Sequence, residues 1–158
     1  MSARRRVLVA LFVALGFYAL SDILLWQRIF EANSLSMFDA QYQTGHVAIL
    51  IGLIGTGAVL LWDAGAWALW FGGALYTTAF GGVADVLYYW LDGRSVPAVL
   101  PWLDRSRLVF IRPLGGDVTS VELLASAAFW LGLWLAAWVV LGQARRANDA
   151  AEVGRAPG

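Results

Sequence analysis

Residues 71–90 read FGGALYTTAFGGVADVLYYW. The stretch is apolar and long enough to cross a bilayer, which takes about 20 residues of helix. One carboxylate, Asp85, lies near its end. Counting back from Asp85 in fours meets Gly81, Thr77 and Gly73, and counting forward meets Tyr89. Residues four apart share one face of a helix. The spacing therefore predicts a helix whose small, mildly polar row packs against other helices, with Asp85 in that row. An ionisable side chain in a membrane helix marks a functional site.

Composition supports the membrane setting. The chain has 158 residues, of which 60% are hydrophobic and 14% charged. Soluble domains are about 45–50% apolar and about 25% charged. Mean hydropathy is +0.67. Nine Trp suit a protein anchored at bilayer interfaces. The net charge is zero, so no broad basic surface for nucleic acid is expected. The absence of Cys excludes disulfides, iron–sulfur clusters and thiolate metal sites. All eleven basic residues are Arg, which excludes a catalytic lysine.

Working outward, the pattern predicts an all-α integral membrane protein: a four-transmembrane-helix bundle with spans at about 7–30, 45–62, 66–91 and 118–141. Arg4, Arg5 and Arg6 followed by VLVALFVALGFYAL also fit the outline of a signal peptide, with small residues at Ala19 and Ser21. The apolar run continues through Ile23, Leu24, Leu25 and Trp26 to spanning length, which favours a membrane helix. Residues 33–44 read as a polar loop. Span 2 carries the small-residue row Ala48, Gly52 and Thr56 and is expected to pack through it. Asp63, Ala64 and Gly65 form a tight turn, which makes spans 2 and 3 antiparallel neighbours.

The long loop at 92–118 holds VPAVLPWL, apolar but too short to span. It reads as an interfacial or re-entrant piece covering one mouth of the bundle. Its RSRLVFIRP stretch offers a basic surface for lipid headgroups, and a plain linker is the simpler alternative. In span 4, Thr119 or Ser120 serves as N-cap, and Trp130, Trp134 and Trp138 form a row read as lipid-facing. The domain ends near 143, and 144–158 reads as a polar, disordered tail. Four spans put both termini on one side. Arg4, Arg5, Arg6, Arg145 and Arg146 make that side cytoplasmic, in the plasma membrane.

Each span carries one ionisable group at similar depth. Asp22 lies about 12 Å and Asp85 about 9 Å from the ends of spans 1 and 3 that face away from the termini. His46 and Glu122 lie about 3–6 Å inside spans 2 and 4 from that same side. Four such groups can converge in a bundle. Asp85 and Asp22 are the candidate catalytic acid and base. With His46 and Glu122 they also make a hypothetical site for a divalent metal such as Zn. Tyr18 and Trp26 flank Asp22, and Tyr88 and Tyr89 follow Asp85. These four supply hydroxyls and an aromatic wall for a ligand, with Arg105 and Arg107 as partners for an anionic headgroup.

Plainer readings stand beside these. His46 suits a helix start at an interface, Glu122 suits a helix N-terminus, and Asp22 suits a structural ion pair with Arg28 or a loop Arg. A three-His zinc site like that of alkaline-ceramidase-type hydrolases is excluded, because the chain has one His. Haem between helices usually takes two axial ligands, and only His46 is available. The function expected is binding of an apolar or amphipathic, lipid- or isoprenoid-like molecule, with acid–base or metal-assisted chemistry on it. A proton- or cation-coupled transporter and a non-catalytic membrane subunit are the rivals.

Overall fold

The computed structural model describes residues 2–27, 39–104 and 116–153. Of these, 85% are helical. Helix α1 spans Ala3–Ser21 and runs on as a π-helical turn through Asp22–Gln27. Helix α2 spans Asp39–Leu60. Helices α3 (Ala66–Thr78) and α4 (Ala84–Leu91) are joined end to end by a second π turn, Ala79–Val83. Helix α5 spans Ser120–Val153. Strands β1 (Val99–Asp104) and β2 (Asp117–Thr119) pair antiparallel between α4 and α5. Two helical stretches, Ala3–Leu25 and Ser120–Asn148, are long and apolar enough to cross a membrane, and Thr44–Leu60 is a shorter apolar helix.

The stretch 66–91 is the hub of the packing. Helix α3 packs on α1, α2 and α5, the π turn packs on α5, and α4 packs on α1. The main core lies where these surfaces meet, with Val7, Leu11, Leu15, Leu50, Trp67, Phe71 and Leu75 all buried. Gly57 of α2 gives way to the Phe71 ring, which a Cβ there would overlap. Gly52 and Gly55 have open space around them, and Ala48 and Thr56 are exposed. The predicted small-residue row of span 2 is therefore not its packing face among the described residues. Buried Leu50 and the Gly57 notch do that work.

The Trp row is a second correction. Trp134 donates its indole N–H to Thr77 Oγ1 at 2.5 Å, and its carbonyl accepts from Trp70 Nε1 at 3.1 Å. The Trp130 ring lies over Gly81, and Trp138 lies beneath the Arg4 guanidinium. The row faces inward because Gly73 and Gly81 leave flat slots for indoles. A methyl group at Gly73 would sit 2.6 Å from Trp134. The exposed face of α5 carries Leu131, Leu135 and Val140 instead.

Three boundaries also move. Helix α2 starts at Asp39, so its first turns lie in the stretch read as loop. Helix α5 continues through Val153, so 144–153 are helical rather than a disordered tail; the sequence there is rich in Ala and Arg, which favour helix. The apolar piece after Pro97 forms β1 rather than a re-entrant segment, with Leu100 facing Val118 across the pair. Leu100, Leu103, Val118, Leu123 and Tyr89 make a second core beneath this ribbon.

Candidate functional site

The π turn at 79–83 decides where Asp85 points. Gly82 adopts φ 95°, a left-handed conformation that favours glycine, and a Cβ there would lie 2.6 Å from Leu123 Cδ1. A π turn inserts one extra residue, which shifts every later side chain about 100° around the axis. Gly73, Thr77 and Gly81 therefore face the indoles of α5, while Asp85 leaves that row and lines a cavity against α1 and α2. Two contacts support the distortion. Ser126 donates its hydroxyl to the Gly81 carbonyl at 2.8 Å, and Thr78 Oγ1 donates back to the Ala74 carbonyl at 2.5 Å. Side-chain bonds of the Thr78 kind bend helices.

The cavity measures about 270 Å³. Tyr18, Ala19 and Asp22 line it from α1 and its π turn, and Tyr42, His46 and Val47 from α2. Ala79, Phe80, Ala84 and Asp85 line it from the hub stretch, and Leu103 from β1. Asp22 is the polar centre. Its carboxylate accepts from the Tyr42 hydroxyl at 3.2 Å and lies 3.5 Å from His46 Nε2. The other imidazole nitrogen, Nδ1, lies 3.3 Å from the Tyr42 carbonyl oxygen. A carbonyl only accepts, so that contact requires Nδ1–H and leaves Nε2 toward Asp22. Tyr18 packs edge-on to the imidazole at 5.4 Å between centroids, and the Tyr42 ring lies 4.3 Å from it. The ring is thereby held from three sides.

Of the residues singled out in the sequence, Asp22, His46, Asp85 and Tyr18 come together here. Glu122 does not line the cavity. It closes a capping box at the start of α5, accepting from Thr119 N–H at 2.9 Å and from Thr119 Oγ1 at 2.8 Å. The site thus draws on three helical stretches, and α5 contributes no lining residue. Tyr88 accepts from Arg94 Nη2 at 2.8 Å, and Tyr89 is buried in the core under the ribbon. The Trp26 side chain and the residues Arg105 and Arg107 lie outside the described parts of the chain. Tyr42 is the site residue that sequence reading missed. The loop expected over 33–44 hides it, and its position four before His46 puts it on the same helix face once α2 starts at Asp39.

The arrangement gathers a carboxylate, an imidazole and a phenol at one side of the cavity, and Asp85 supplies a second carboxylate to its lining. Val47, Phe80, Ala84 and Leu103 make the remaining wall apolar. Among the described residues no three His, Asp or Glu side chains are grouped closely enough to hold a metal ion. Comparison with protein-family models, curated proteins and solved structures finds no match to this chain.

Proposed function

We propose that this chain is a four-span membrane protein of the plasma membrane, both termini cytoplasmic, that binds a lipid- or isoprenoid-like amphipathic molecule in the cavity and acts on it by acid–base chemistry. Apolar exposure on every helical stretch supports the membrane reading. Phe12 is 65% exposed, Val59 76%, Leu69 80% and Val140 62%. Water disfavours such surfaces, and a bilayer covers them.

The observation that carries the functional reading is one cavity, apolar on one wall, lined by Asp22, His46 and Asp85 from three helical stretches. A volume of about 270 Å³ suits the reacting end of an amphiphile rather than a whole acyl chain. Asp85 is the principal acid or base, Asp22 its partner, and His46 with Tyr42 relays the proton.

The test is purification of the full chain in detergent, followed by organic extraction, mass spectrometry and metal analysis. One amphiphile retained near stoichiometrically by the wild type and lost by Asp85→Asn and Asp22→Asn is expected. No retained molecule from any membrane extract, no metal, and variants that match the wild type in stability and activity would overturn the site. Ion flux in proteoliposomes that depends on Asp85 would replace it with a transporter.

A further inference from the structure

The end of the molecule where α1 begins carries a second set of polar groups. Arg4 stacks on Trp138, its guanidinium carbon 3.4 Å from the ring centroid, with Trp67 on another side at 5.9 Å. Gly142 makes room for it, because a Cβ there would lie 2.9 Å from Arg4 Cζ. The neighbouring arginines are engaged elsewhere. Arg6 holds the Asp63 carboxylate, and Arg145 Nη2 donates to the Ala64 carbonyl at 3.0 Å. Both clamp the turn between α2 and α3. Arg4 has neither an ion pair nor a hydrogen bond among the described residues, and its Nε is buried without an acceptor. The Trp138 indole N–H is likewise buried and unsatisfied.

We infer that Arg4 is the anchor of a binding site for the phosphate of an anionic membrane phospholipid. A guanidinium stacked on an indole keeps its N–H edge in its own plane, above the ring, where the two Nη groups meet two phosphate oxygens at once. Trp marks interfacial depth in a membrane protein, the level at which headgroup phosphates lie. Arg5 and Arg146 are exposed beside this end and add attraction without fixed geometry. The inference uses the membrane reading but not the cavity, so its failure leaves the cavity reading standing.

The full chain in nanodiscs of phosphatidylcholine, with and without one-fifth phosphatidylglycerol, is released into the gas phase, and lipid adducts are counted by native mass spectrometry. The wild type retains one phosphatidylglycerol. Arg4→Ala and Arg4→Lys reduce that adduct about tenfold, and Arg5→Ala and Arg146→Ala reduce it much less. Arg4→Lys keeps the charge, so circular dichroism matching the wild type shows that lost binding is not lost folding. Gly142→Ala, which displaces Arg4 from Trp138, also lowers the adduct. Retention by Arg4→Lys equal to wild type, or equal losses in all four arginine variants, refutes a built site. Displacement of the lipid by millimolar inorganic phosphate refutes a lipid as the source of the phosphate.

Discussion

Ser126 Oγ donates to the carbonyl oxygen of Gly81 at 2.8 Å, across the contact between α5 and the π turn of the hub stretch. Ser126 is 2% exposed. This bond satisfies a backbone carbonyl at the turn that redirects Asp85. Ser126→Ala leaves that carbonyl buried without its partner, which costs about 1–3 kcal/mol. A lower thermal unfolding midpoint in detergent is expected, and an unchanged midpoint would mean that the carbonyl finds another donor.

Gly82→Ala tests the turn itself. The new methyl meets Leu123 at 2.6 Å and forces a left-handed backbone on an L-residue, at a cost of about 1–3 kcal/mol. Loss of any bound amphiphile should accompany the destabilisation, since straightening the helix returns Asp85 to the indole-facing row. Gly52→Ala is the control. It has nothing within 4 Å, and it should be neutral or stabilising by up to about 1 kcal/mol.

Trp134 and Thr77 form a pair suited to a double-mutant cycle. Trp134→Phe and Thr77→Val each remove one side of the 2.5 Å hydrogen bond and should cost about 0.5–1.5 kcal/mol beyond changes in packing. The double variant should cost less than the sum of the two. Additive losses would show that the contact contributes nothing of its own.

Tyr42→Phe removes the donor to Asp22 while keeping the ring against His46. Retention of the amphiphile should fall about tenfold, the equivalent of one hydrogen bond of about 1.4 kcal/mol. His46→Gln should fall further, because it removes both the aromatic contact and the proton relay. Binding unchanged in both variants would restrict the site to Asp85 and its own wall.

The Arg6–Asp63 pair predicts a mild acid dependence. The hydrogen bond from Arg6 holds the Asp63 carboxyl below its ordinary value of 3.8. A depressed carboxylate stabilises the fold fully above about pH 4 and loses that contribution as pH falls through its folded value. The pair is exposed, so the effect is small and weakens with salt. Asp63→Asn should flatten the stability profile in that acid range and leave it unchanged at pH 7. A profile that keeps its acid slope would assign it to other carboxylates.

Much of this site is written in the local sequence. Apolar runs bounded by arginines, Pro97 and Gly65 announce four helical stretches, and the acids stand out against them. Asp22, His46 and Asp85 were recognisable because a charge amid apolar residues needs a local reason. Their position along each helix follows from counting residues along its axis. Rotation about that axis did not follow, and rotation decides which side chains meet.

Three features needed the tertiary structure. The fours-count from Asp85 assumed an unbroken α-helix, and the π turn at Gly82 breaks it, because Leu123 and Ser126 of α5 select that conformation from outside the segment. By periodicity alone the Trp row reads as lipid-facing. The notches at Gly73 and Gly81, far earlier in the chain on a different helical stretch, drew it inward. Glu122 and Asp22 looked alike as acids near helix ends, but Thr119 lies three residues from Glu122 and captures it locally. The partners of Asp22 among the described residues, Tyr42 and His46, come from another helix. Composition and period thus determined which segments are helical and which residues carry charge. Packing between segments decided where those charges point.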